Sequence, residues 1–148
     1  KMIKSDSATS FLMIWSLFES KCFNGTFTVR KIEPFATDQK KNYTKLSVEE
    51  PVRYFYDRYQ DKEKFRQLIF KGNANIYKKT LEMSYESISI EDKLSFIIFV
   101  VSRYRNNIFH GNKGLQSWLK YDEQIKKCIM VMISILDVCN ATIESKGV

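Results

Sequence analysis

The chain has a single histidine, His110, which follows Arg105 by five positions in the segment Tyr104-Arg-Asn-Asn-Ile-Phe-His-Gly111. Arg105 interrupts a run that is otherwise almost wholly apolar from Leu94 onward. A charge placed where the pattern asks for Leu or Ile is costly unless it is paired or used. On a regular helix Arg105 and His110 lie about 140° apart around the axis, whereas Asn106 and His110, four residues apart, share a face. Arg105 belongs to the apolar stripe of Val101 and Ile108. Fraying before Gly111 can swing the imidazole toward it. One helix end thus offers a cation, an amide and an imidazole. Imidazole titrates near neutrality and guanidinium stays charged, so the chemistry on offer is proton transfer beside a fixed positive charge. Structural readings compete at each position. A His before Gly commonly meets the free carbonyls of a helix terminus. Arg105 can be a buried cation paired with Glu19 or another acid, and Asn106 and Asn107 can simply hydrogen-bond where the helix ends.

The element that must position these groups is Ile90 to Phe109, capped by Ser89, with Glu91 and Asp92 where the helix dipole favours acids. Phe96-Ile-Ile-Phe-Val-Val101 has strand-like composition. The pattern nevertheless continues through Leu94, Ile97, Ile98, Val101, Tyr104 and Ile108 at three- and four-residue steps, longer than strands run. A helix apolar nearly all round belongs at the centre. Ahead of it, Ser7 or Thr9 caps a helix to about Phe23 that buries Phe11, Ile14, Trp15, Phe18 and Cys22, and Asn24-Gly25 stops it. Residues 26–46 read as an irregular insertion, with a short strand in Thr26 to Ile32 and a mobile loop from Asp38 to Thr44. Ser47-Val-Glu-Glu50-Pro51 is a capping-box pattern opening a helix to about Tyr59. Lys62 to Lys71 continues helically until Gly72, and Asn73 to about Tyr85 forms a more polar helix. A final helix from about Leu115 to Ile143 turns Leu119, Ile125, Ile129, Met132, Ile133, Leu136 and Cys139 inward, and Trp15 and Trp118 read as core. The expected architecture is all-α: one domain over residues 1–148, a helical bundle with long antiparallel helices.

Composition bounds the partners. Five Gly and two Pro in 148 residues argue against a many-turned sandwich or barrel. A net charge of +7 suits a polyanion, but no basic run exceeds Lys40-Lys41 or Lys126-Lys127, so charge alone describes a solvated surface. Cys22, Cys128 and Cys139 are odd in number and lack a CxxC pair, which suits reduced, buried thiols and excludes the usual zinc sets. Glu82 and Glu86, placed on one helix face, leave a carboxylate magnesium site open, although such pairs are ordinarily solvated. Phe11 to Phe18 is short, has acids on both sides and no small-residue cleavage site, so it does not read as a signal peptide. No stretch approaches the ~20 apolar residues of a membrane span. A soluble, cytoplasmic protein is expected.

Arg105-Asn-Asn-Ile-Phe-His110 followed by Gly111 resembles the signature of HEPN domains, in the form seen in prokaryotic conflict and defence proteins. Asn106 directly after the Arg, the place at the end of a hydrophobic helix and the long helix that follows all fit. Trp15-Ser-Leu-Phe18-Glu19 is similar to the family's first helix, whereas residues 26–46 have no counterpart there. The resemblance implies a helical homodimer that joins two Arg/His sets in one cleft, and a metal-independent endoribonuclease without a cofactor. Attack of an RNA 2′-hydroxyl on its own phosphate needs a proton acceptor and donors for the crowded phosphate. His110 is then general base or acid, and Arg105 grips phosphate oxygens. Asn106 orients the histidine or a phosphate oxygen, Lys113 and Asn107 contact phosphate, and Glu19 and Tyr104 support the set. The partner would be RNA, with an antitoxin or other protein alongside if the enzyme is a toxin or phage-defence effector. Two alternatives stand beside it: a non-catalytic HEPN-type module that binds RNA or protein, and a plain helical dimerisation domain.

Overall fold

The computed structural model describes residues 6–146 apart from 71, 74 and 111–114. Among these the chain forms eight α-helices and three short 3-10 segments, with no strand. The helices are α1 (Asp6–Cys22), α2 (Ile32–Gln39), α3 (Glu49–Arg58), α4 (Lys62–Ile69), α5 (Lys78–Glu82), α6 (Ile90–Phe109), α7 (Leu115–Lys120) and α8 (Asp122–Lys146). None of the described helices is long and apolar enough to cross a membrane.

Helix α6 is the axis. The Ser89 hydroxyl accepts the Asp92 N–H at 3.1 Å, and Glu91 and Asp92 occupy the first turn. From Leu94 to Val101 every side chain is buried, because α6 packs against α1, α2, α3, α4 and α8. Ser102 is buried too, its hydroxyl satisfied by the Phe99 carbonyl at 2.7 Å. Helices α6 and α8 are antiparallel. Their shared neighbour α3 joins Glu49 to Lys93 near the start of α6, while Ser47 bonds Ser134 far along α8 and Tyr54 bonds Gln124 near its start. Helix α1 departs from the antiparallel expectation. Ser7 bonds Asp122 and Cys22 bonds Cys139, so α1 and α8 run parallel.

The first helix stops as its sequence indicates. Asn24 and Gly25 have φ of 54° and 91°, and the N–H groups of Phe23 and Gly25 both reach the Glu19 carbonyl at 3.1 Å. Residues 26–46, however, are not an irregular insertion. The proposed strand and mobile loop give way to a 3-10 turn at Val29–Lys31, helix α2 and a second 3-10 segment at Lys40–Lys45. Ile32 and Ala36, four apart and both fully buried, fix α2 on α6. Phe27 is drawn not into a ladder but into an aromatic cluster, 5.2 Å from Trp15 and 5.0 Å from Phe23 between ring centroids. Tertiary packing overrode the β-branched alternation.

Four local expectations change. Ser7 and Thr9 lie inside α1 rather than capping it. The capping box does not form: Val48 holds the cap position, the Ser47 N–H donates to Ser134 Oγ at 2.7 Å, and Glu50 pairs with Lys127 at 2.9 Å. Only Lys78–Glu82 is α-helical in the 73–85 stretch, and Glu86 belongs to a separate 3-10 turn at Tyr85–Ser87. Glu82 and Glu86 therefore share no helix face. The last helix breaks at Tyr121, whose N–H turns back to the Trp118 carbonyl at 3.0 Å. The break shifts the helical phase, which leaves Leu119 42% exposed. In α8 the buried stripe runs through Ile125, Cys128, Val131, Met132, Ile135 and Cys139, and Ile133 lies beside it at 43% exposure.

Glu49 gathers four segments. It accepts the hydroxyls of Tyr43 and Tyr85 and meets Lys93 Nζ at 3.4 Å. Partial burial pushes its carboxyl upward, but the tyrosine hydrogen bonds and the Lys93 charge outweigh that, leaving its pKa below the ordinary carboxylate value. A depressed carboxylate stabilises the fold above its unfolded pKa of about 4.3 and loses that contribution as pH falls through the lower folded value. Since the side chain is 52% exposed, the contribution stays within about 1 kcal/mol. Melting curves from pH 7 to pH 3 should show Glu49→Gln less stable than the parent at neutrality, with the gap closing in acid. A gap constant across that range would show that ionisation of Glu49 contributes nothing.

Candidate functional site

The last two turns of α6 face two ways. On one side, Arg103 and Asn107 serve the end of α4, where helix geometry leaves carbonyls without partners. Arg103 Nε reaches the Leu68 carbonyl at 3.3 Å and Nη2 the Ile69 carbonyl at 2.7 Å. Asn107 Nδ2 donates to the Leu68 carbonyl at 3.3 Å, and its residue is only 6% exposed. Gly72 belongs to this junction, since a Cβ there would sit 3.0 Å from Ile69 Cγ2. Asn107 thus builds the α4–α6 contact. Tyr104 is likewise interior, its hydroxyl 2.7 Å from that of Tyr59, with burial pushing both phenols upward.

On the other side, Arg105 enters an aromatic slot. Its guanidinium carbon lies 4.5 Å from the Phe109 ring centroid and 5.9 Å from that of Trp15. Phe109 stands four residues on, one turn further along the same face. Nη1 donates to Asn106 Oδ1 at 3.1 Å, whereas Nε is buried with no hydrogen-bond partner among the described residues. Trp15 Nε1 is a second such donor. Both residues border a cavity of about 220 Å³ that Glu19, Phe27, Arg103 and Asn106 help to line. The expected Arg105–Glu19 ion pair is not formed among the described residues. Glu19 Oε2 instead accepts the Phe27 N–H at 2.8 Å and ties the chain after α1 back onto that helix. Among the described residues no carboxylate pairs with Arg105.

His110 is the last cap of α6. Its N–H reaches the Asn106 carbonyl at 3.0 Å, and its side chain is exposed. No hydrogen bond joins its side chain to Arg105 among the described residues. The Phe109 ring neighbours both groups, 5.4 Å from the imidazole between centroids, and is 60% exposed. The Asn106 side chain holds the arginine rather than the histidine, and only its backbone engages His110. Lys113 lies outside the described residues. The structure thus joins Arg105, Asn106, Glu19 and Trp15 around one cavity, sets His110 just beyond Phe109, and turns Tyr104 and Asn107 inward. Sequence spacing misses Trp15 and Phe109 as walls of the arginine slot. The i,i+4 step from Arg105 to Phe109 was the available signal. No protein-family model matches the chain, and no curated protein or solved structure is significantly similar to it.

Proposed function

We propose that this protein is a HEPN-type endoribonuclease that cleaves RNA without a metal ion, through attack of the 2′-hydroxyl on the adjacent phosphate. The observation that carries this reading is Arg105, a cation set beside aromatic rings with no carboxylate paired to it among the described residues. Arginine is rarely buried unless paired, and Arg105 is partly buried. One left without an acid keeps its fork for an external anion, and phosphate matches that fork. His110, solvent-reachable at the same helix end, supplies the proton acceptor and donor that transesterification needs. Asn106 holds the guanidinium in place. Exposed Phe109 beside the two groups is a surface that a second copy would cover, which supports a homodimer closing over the site. A toxin or defence role, with an antitoxin or partner protein, follows from the family resemblance alone.

The second reading, a non-catalytic module that binds RNA or protein, is favoured by one feature: no hydrogen bond joins Arg105 and His110 among the described residues, and the exposed Phe109 ring lies against both. Incubation with total RNA in excess chelator separates the two. Cleavage leaving 2′,3′-cyclic phosphate ends supports the nuclease. Retention of RNA without cleavage supports the module, and neither binding nor cleavage would leave the site a structural feature of α6.

A further inference from the structure

Cys22 closes α1 and Cys139 lies near the far end of α8, 117 positions later, yet their sulfurs are 3.7 Å apart. The parallel run of α1 on α8 brings the two ends level. Both thiols are free, Cys22 half-buried and Cys139 buried, while Cys128 is sealed in the core at 0% exposure. We propose that Cys22 and Cys139 form an oxidation site that a peroxide converts to an intramolecular disulfide.

The reaction needs one sulfur to act as nucleophile and the other to resolve the intermediate. The Cys22 S–H donates to Cys139 Sγ. That hydrogen bond favours the Cys139 thiolate and holds its pKa below the ordinary thiol value, against burial and the nearby Asp38 charge. The same bond, then burial, then the Cys139 charge push Cys22 upward. Cys139 therefore loses its proton first. Its thiolate attacks one peroxide oxygen, the O–O bond breaks, and hydroxide leaves and takes up the released proton. The product is a sulfenic acid on Cys139. The Cys22 sulfur then attacks Cys139 Sγ, the S–O bond breaks, and the oxygen departs with the Cys22 proton as water. Two thiols lose two electrons and one peroxide becomes two waters. Closing from 3.7 Å to a bond of about 2.05 Å needs side-chain rotation and a small helix approach.

Treatment of the intact protein with hydrogen peroxide tests this, read by intact mass, peptide mapping and melting temperature. The expected result is loss of two hydrogens, a Cys22–Cys139 linked peptide, and a rise of about 5 °C or more in melting temperature that a reductant reverses. Cys128→Ser should behave as the parent, while Cys22→Ser and Cys139→Ser should show neither the mass loss nor the rise. Circular dichroism before oxidation verifies that each variant is folded. Cys139→Ala serves if a buried serine destabilises the helix pair, and the linked peptide from the parent decides independently of any variant. Oxygen uptake without hydrogen loss, linkage through Cys128 or linkage between copies would overturn the proposal.

Discussion

Replacing His110 with Ala should lower RNA cleavage by about 10²–10⁴-fold while leaving the melting temperature within a degree or two of the parent. The two halves of that expectation have separate origins. The rate loss follows from removing the chain's single imidazole, the group suited to take a proton from a 2′-hydroxyl and return one to the leaving oxygen near neutral pH. The unchanged stability follows from position. His110 is exposed at the end of α6, and its hydrogen bond to Asn106 uses the backbone N–H, which alanine retains. Arg105→Lys adds a second discrimination. Lysine keeps the charge but lacks the planar fork, so a phosphate clamp loses most of its function, whereas a purely structural cation loses little. The decisive experiment is cleavage of a defined RNA in excess chelator by the parent, His110→Ala and Arg105→Lys. Equal rates for the parent and His110→Ala would remove the histidine from the mechanism. A parent that binds RNA and never cuts it would leave the binding module standing.

The site was legible in the sequence only in part. One histidine, an arginine at position 105 in a largely apolar run and their spacing locate the end of α6, and the separation of about 140° puts the two on different faces of a regular helix. What encloses the arginine is not local. Trp15 comes from α1, ninety residues earlier, and Glu19 is drawn away by the Phe27 N–H, a bond that depends on how the chain folds back after Gly25. Asn107 shows the same limit from the other side. It is adjacent to Asn106, yet a rotation of one residue around α6 carries it from the cavity face to the end of α4.

Among the elements, α6 was the clearest, because burial on all sides, a Ser cap and two leading acids agree. Residues 26–46 were the least clear. Thr26 to Ile32 alternates as a strand does, but no strand exists among the described residues to pair with it, and Phe27 finds aromatic neighbours instead. The capping signal at Ser47 was real as a pattern and lost to α8, which takes the Ser47 N–H and the Glu50 carboxylate.

Adjacent residues in α8 give the sharpest stability test, since helical spacing alone turns both inward and the structure separates them. Met132 is fully buried and Ile133 is 43% exposed. Met132→Ala should destabilise by about 2–5 kcal/mol, because the surrounding side chains of α8 and its neighbours cannot fully collapse into the space left. For a chain of this length that corresponds to a fall of roughly 5–15 °C in melting temperature. Ile133→Ala should change stability by less than about 1 kcal/mol, with the better helix propensity of alanine offsetting part of the lost contact. Thermal and denaturant melts of both variants make the comparison. A large loss for Ile133→Ala at low protein concentration would place that side chain in the core. A loss that appears only at high concentration would instead place it between two copies, where burial comes from association and not from the fold of one chain.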